Sequence, residues 1–208
     1  ETAPTRGCNI LQIFYGVPAP WNREMGEFLI MKYKNELIKS MEWLSQQEDT
    51  IFLGQACRVS GHAISSTLEK VPLEKRIELP VFEETQLGIC TGMALEGYVP
   101  ITMYPRFDFF ILACNQLVNH LDKIREMSKK DMCPRVIIRV SIGSKNPIDA
   151  GPQHTQNHIE AFRKMLTDVN VVELVEPEDI FPAFKEAYER EDSKSTLVIE
   201  HGEYYGTK

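Results

Sequence analysis

From residue 51 onward the chain alternates short β-rich runs with helix-length segments, and this alternation limits the folds open to it more than any other feature. Runs at IFLG (51–54), RIELP (76–80), VPITMY (99–104), RVIIRVS (135–141), NVVELV (170–175) and TLVIE (196–200) predict six strands. Helix-length stretches at about 62–70, 83–96, 108–129, 155–167 and 178–190 lie between them; the last follows Pro177, with Glu178 and Asp179 in its first turn. Neighbouring parallel strands need crossovers, and crossover helices cover the sheet. The expected fold is therefore α/β, a doubly wound and mainly parallel six-stranded sheet with helices on both faces. Runs as apolar as VIIRV suit strands buried on both sides. In such sheets ligands sit beyond the carboxyl ends of the strands, so the residues following each strand are the ones to read for function.

Ahead of the alternation, MKYKNELIKSMEWLSQQ (31–47) places Leu37, Ile38, Met41 and Leu44 at helical spacing and predicts an amphipathic helix. Residues 1–30 lack clear periodicity and carry no well-formed secretory signal. We expect them to be an amino-terminal extension or added lead, with one domain over 31–208. The 23 Lys and Arg against 30 Asp and Glu give a net charge of −7, which disfavours a broad grip on nucleic acid. The longest stretches without formal charge, 7–22 and 109–121, are shorter than the roughly 18 residues of a membrane-spanning helix. The five cysteines lie 19 to 49 residues apart with no CxxC pair or zinc spacing, and they read as buried thiols of a reducing cytoplasm.

The densest segment is IELPVFEETQLGICTGMALEGYVP (77–100), in which a strand ends at Pro80, two glutamates follow and a helix of small residues begins. Acidic residues are common in first turns, where they complement the helix dipole, and that reading suffices for Glu84. Gly88 and Gly92 share one helix face, which Glu96 continues. Helical glycines cost about 1 kcal/mol each relative to alanine, so they imply a close backbone neighbour, either within the chain or across a subunit interface. Phe109, in PRFDFFIL, reads by composition as a core aromatic. His154 and His158 stand four apart and could share a helix face; His62, His120 and His201 read as structural, with His62 an outside candidate because it follows a strand. No G-x-G-x-x-G follows any candidate strand, which removes a nicotinamide-binding reading.

Taken in order, FLGQ (52–55), ELPVFEETQLGICTGMALEGYVPI (78–101), FDFFILACNQLVNH (107–120), GPQHTQ (151–156), VVELVEPED (171–179) and LVIEHGEYYG (197–206) resemble the pyrimidine-binding domain of transketolase-like thiamin diphosphate enzymes. The likeness is strongest to the beta subunit of the 2-oxo acid dehydrogenase first component. The resemblance implies that Glu83 bonds the pyrimidine N1′ of thiamin diphosphate and, through proton exchange there, activates the thiazolium C2 carbon. On the same ground Phe109 stacks on the ring, Pro105 touches it, Gln55 lies near the cofactor, and His154 handles substrate protons at the site mouth.

Three departures refine this expectation. The family's FLGE reads FLGQ here, so Gln55 keeps hydrogen bonding without charge. Family beta subunits continue into a further carboxyl-terminal domain, whereas this sequence stops with the pyrimidine-like segment, so docking to a large acyltransferase core is not expected. It also contains no Gly-Asp pair, so magnesium and diphosphate would be held by a partner, an alpha-like subunit with the Gly-Asp-Gly motif, in a heterotetramer. The expected function is the pyrimidine-binding subunit of a split thiamin diphosphate enzyme that decarboxylates a 2-oxo acid or transfers an acyl or ketol fragment. The alternative is a catalytically silent homologue serving interaction or regulation.

Overall fold

A computed structural model describes residues 23–59, 62–145 and 149–205. All six predicted strands form: β1 (Thr50–Gly54), β2 (Arg76–Glu78), β3 (Val99–Tyr104), β4 (Ile137–Ile142), β5 (Asn170–Glu173) and β6 (Thr196–His201). They make one sheet in the order β2-β1-β3-β4-β6-β5, and every pairing is parallel. The central strands β3, β4 and β6 are buried almost throughout, as their apolar runs require.

Helices cover both faces. On one lie α1 (Arg23–Ser45), a 3-10 turn at Ile64–Leu68 and α6 (Pro177–Glu189). Leu37, Met41 and Leu44 of α1 meet Ile180 and Phe184 of α6 over Phe52, Ile101 and Val198 of the sheet. Trp43 sets its edge against Phe181 and Tyr188 at 5.8 and 5.6 Å between centroids. The other face carries α2 (Glu83–Leu95), a helical stretch built from α3 (Phe107–Phe110) to α4 (Ile124–Met127), and α5 (Ile159–Met165). Leu87, Phe107, Phe110, Leu117 and Phe162 pack there on Leu53, Ile138 and Leu197.

The differences from expectation are local. The α1 helix begins at Arg23, eight residues before Met31, and residues 1–22 of the expected 1–30 extension lie outside the described residues. The stretch predicted at 62–70 is a single 3-10 turn. The span 108–129 is interrupted by a 3-10 turn at Ile111–Ala113 and a wide π turn at Gln116–Leu121. The helix predicted from 155 starts at Ile159, because the Gln156 amide donates to Asp108 and Asn157 Oδ1 accepts from the Ile159 amide. His154 and His158 therefore share no helix face; they sit before the helix with their rings against Phe109 and Phe107 respectively.

Candidate active site at the β1–β3 switch point

The connection leaving β1 runs to one side of the sheet, to β2, and the one leaving β3 runs to the other, to β4. Diverging connections open a crevice beyond the carboxyl ends of the two strands. A cavity of about 450 Å³ lies there, walled by the segments that follow β1, β2 and β3 and by His154 from the loop after β4.

Its walls are held in place by specific backbone devices. Gly54 ends β1 at φ +138°, where a Cβ would lie 2.5 Å from the Met103 carbonyl and 2.7 Å from Gln86 Nε2. The bare glycine thus lets the buried Gln86 side chain of α2 cross to β3, donating to Thr102 Oγ1 at 2.8 Å and the Met103 carbonyl at 2.9 Å. Beyond it, Ala56 turns the chain at φ 59°, and the Glu78 carboxylate accepts the amides of Ala56, Arg58 and Val59. The turn presents Gln55 to the cavity. Across the site, a Cβ on Gly143 would fall 1.8 Å from the His154 carbonyl, so only glycine lets the 149–158 loop fold over the end of β4.

Glu83, the first residue of α2, is 5% exposed and lines the cavity. Its carboxylate Oε1 accepts one long hydrogen bond, 3.3 Å from Gln55 Nε2. Its backbone carbonyl accepts from the Tyr104 hydroxyl at 3.3 Å, and burial pushes that phenol well above its ordinary range. Phe107 and Phe110 point into the core, but Phe109 is 42% exposed and faces the cavity. The composition-based reading of Phe109 as a core ring is thereby corrected: helical spacing sends residues 107 and 110 inward and residue 109 out. The His154 ring meets Phe109 edge-on at 5.3 Å and 90°.

Of the residues singled out from the sequence, Gln55, Glu83, Pro105, Phe109 and His154 all line this one cavity, joined by the outside candidate His62. The other three histidines stand elsewhere: His158 packs on Phe107, His201 Nε2 lies 3.0 Å from Glu173 Oε1, and His120 is exposed. Glu78, Tyr104 and Arg106 also line it and went unnoticed in the sequence. Their position at the carboxyl end of β2 or β3, or just beyond it, was the signal available. The cysteine reading is corrected in part: Cys57 and Cys90 are buried, with thiols pushed up to about 12 by burial, whereas Cys114 and Cys133 are half-buried. Among the described residues no helix is long and apolar enough to cross a membrane.

The glycine face of α2 also departs from a tight contact within the chain. A Cβ at Gly88 would meet only the Gln116 side chain at 3.7 Å, an ordinary distance, and one at Gly92 would meet nothing within 4 Å.

A parallel doubly wound sheet with a cavity at its switch point, lined by a buried acid and an exposed aromatic, is the arrangement in which α/β domains bind small ligands. Residues 37–207 match the family described as the transketolase pyrimidine binding domain, and the chain belongs to that family. Among curated proteins it is similar to the 2-oxoisovalerate dehydrogenase subunit beta of Bacillus subtilis (strain 168), 25% identical over 180 residues, covering 85% of this chain and 54% of that protein. It is also similar to the pyruvate dehydrogenase E1 component subunit beta of Gracilaria tenuistipitata var. liui, 25% identical over 132 residues, covering 64% of this chain and 39% of the relative. The chain thus spans about half the length, or less, of these relatives. Among solved structures, a split gene transketolase described as an inactive beta4 tetramer superposes with a TM-score of 0.56 at 14% identity, over 81% of this chain and 50% of that one. At that identity the likeness concerns the fold.

Proposed function

We propose that this chain is the pyrimidine-binding, beta-like subunit of a split thiamin diphosphate enzyme that decarboxylates a 2-oxo acid or transfers an acyl or ketol fragment. The observation that carries the reading is Glu83, a buried carboxylate at the switch-point cavity with one long hydrogen bond from an uncharged amide. A carboxylate has room for several donors, so Glu83 keeps acceptor capacity for a ring N–H. The exposed face of Phe109 in the same cavity suits stacking on a planar heterocycle. The residues present therefore fit the aminopyrimidine end of the cofactor. Glu83 would bond it, Phe109 would stack on it, and Pro105 and Gln55 would complete the wall.

When bound, thiamin diphosphate supplies an activated thiazolium carbon that cleaves a bond next to a carbonyl. The protein residues would divide the remaining work. Glu83 exchanges a proton at its carboxylate, and burial keeps competing water from that proton. Gln55 orients the carboxylate through Nε2. His154 takes or returns protons at the mouth, the task suited to a side chain that ordinarily titrates near neutrality.

The diphosphate and magnesium would be held by an alpha-like partner chain carrying a Gly-Asp-Gly motif, in a heterotetramer. Support comes from the exposed apolar residues Ile89, Leu95, Ile111 and Leu112 and from the open space beside Gly92. The relatives are named as subunits of dehydrogenases, and the solved neighbour as a split gene transketolase.

Hydrogen–deuterium exchange at C2 of thiamin diphosphate, followed by proton NMR in the assembled complex, tests this reading. Exchange should run far above the rate of free cofactor and fall by about 10²–10⁴-fold in Glu83→Gln. A second reading, a catalytically silent homologue, is favoured by Gln55 standing where the family carries an acid. Exchange no faster than that of free cofactor, or unaffected by the substitution, would decide for it.

A further inference from the structure

We propose that Arg106 is the anion clamp of the switch-point cavity, its guanidinium gripping the carboxylate or phosphate group of the substrate beside His154. The inference rests on reading the cavity as the active site and adds the residue that selects the substrate's charge.

Arg106 is the only Lys or Arg among the residues lining the cavity. Two acids line it as well, and among the described residues Arg106 pairs with neither. The Glu78 carboxylate is taken by the amides of Ala56, Arg58 and Val59, and Glu83 is bonded by Gln55. Among the described residues Arg106 forms no ion pair, and its one hydrogen bond, 3.0 Å from Nη1, goes to the carbonyl of the adjacent Pro105. A half-buried guanidinium normally finds a carboxylate, and one that spends a single donor on its neighbour's backbone keeps most of its fork for a ligand.

Its position is built rather than accidental. Arg106 immediately precedes α3 on extended backbone, at φ −138° and ψ 125°. A Cβ on Gly143 would lie 3.8 Å from Arg106 Cδ and 1.8 Å from the His154 carbonyl. The same bare glycine that lets the His154 loop close over β4 thus lays that loop beside the Arg106 stem. Arg106, His154, Glu83 and Gln55 all line the one cavity.

The charge balance of the chain gives the clamp a purpose. At a net charge of −7, the protein's overall field repels anions, so an anionic substrate needs a local cation. A planar fork pairs with two oxygens of a carboxylate or phosphate at once, which neither His62 nor His154 can do. A 2-oxo acid carries such a group, and so does a ketol donor that is a sugar phosphate.

The test is an NMR titration of the full ¹⁵N-labelled chain with sodium pyruvate and, separately, with inorganic phosphate, each against sodium chloride at matched ionic strength. The Arg106 Nε–H signal is assigned by its absence from Arg106→Gln. Saturable shifts of the Arg106 and His154 signals are expected. The His154 response should need about tenfold or more anion in Arg106→Gln, and Arg106→Lys should recover much of the loss. Tighter binding of pyruvate assigns the group to a 2-oxo acid; tighter binding of phosphate assigns it to a sugar phosphate. Should the Arg106 signal fail to saturate with either anion, or His154 titrate identically in Arg106→Gln, the clamp is overturned. Should Arg106→Gln fold poorly, Arg106→Lys, which also lacks the Nε–H, assigns the signal, and the wild-type titration then decides the question. The titration uses neither cofactor nor partner, so its failure is distinct from that of the C2 exchange experiment.

Discussion

Two groups of buried polar side chains occupy the same sheet and are treated in opposite ways. Under α1 and α6, Arg139 of β4 and Glu200 of β6 are both fully buried and form a two-pronged pair at 2.6 and 2.9 Å. Arg139 also donates to Thr67 Oγ1 at 3.1 Å, and Glu200 accepts from the Tyr205 hydroxyl. Glu200 holds the guanidinium charged despite complete burial, and burial with Glu200 raises the Tyr205 phenol well above its ordinary range. At the β1–β3 cavity the pattern reverses. Of the residues lining it, Glu83 has one long bond and His154 Nδ1 is buried without a hydrogen-bond partner among the described residues. Buried polar groups in a folded protein are nearly always satisfied. The saturated cluster therefore serves to hold strands and helices in register, while the undersatisfied one retains capacity for something the chain does not itself contain.

Stability measurements can break this contrast. The largest effect is expected in the saturated cluster: Arg139→Met should cost about 3–5 kcal/mol by urea denaturation, because Glu200 would be left buried without its partner. Adding Glu200→Leu to that variant should return much of the loss, and no recovery would mean that the pair contributes through packing alone.

Asp122 comes next. Its carboxylate accepts the amides of Thr167, Asp168 and Val169 at 2.8–3.0 Å, together with the Lys123 ammonium at 2.7 Å. Burial alone would raise its pKa, but the bonds from Lys123, from the Val169 and Asp168 amides and from the Thr167 hydroxyl outweigh burial and hold it below the ordinary 3.8. A depressed folded-state pKa contributes stability that is present above the unfolded value and lost as pH falls through the folded one. Asp122→Asn should therefore cost about 1–3 kcal/mol at pH 7, and the gap to wild type should close as pH drops below about 4. A gap independent of pH would refute this account.

The smallest effect is expected in the cavity. Glu83→Gln removes a buried charge with one weak partner and should change stability by less than about 0.5 kcal/mol, while abolishing C2 exchange. A large stability loss there would make Glu83 another structural acid and erase the distinction between the two groups.

The strands, their parallel sense and the helices that cover them were legible in residue patterns, since the side-chain periods of 2.0 and 3.6 are local properties. Resemblance to a family added Glu83, Phe109, Pro105, Gln55 and His154 as a set, and the fold brings all five to one cavity. What escaped notice depends on contacts distant in sequence. Arg106 looked like any charged residue at a strand end, and its significance comes from the absence of an acid partner among the described residues and the close approach of the His154 loop at Gly143. Glu78 looked like the polar end of a strand, but its carboxylate holds the turn that carries Gln55, more than 20 residues earlier in the chain. The breaks in the 108–129 helix were hidden for the same reason, because 3-10, α and π turns share similar apolar spacing over a few residues.

The sequence by itself thus determined the order and kind of elements, their parallel stacking and the acid at the start of α2, because each follows from short-range periodicity and local chain chemistry. Only the tertiary structure decided which polar groups are saturated and which are left open. Satisfaction depends on partners brought together across the sheet, and burial turns a missing partner into a large electrostatic term.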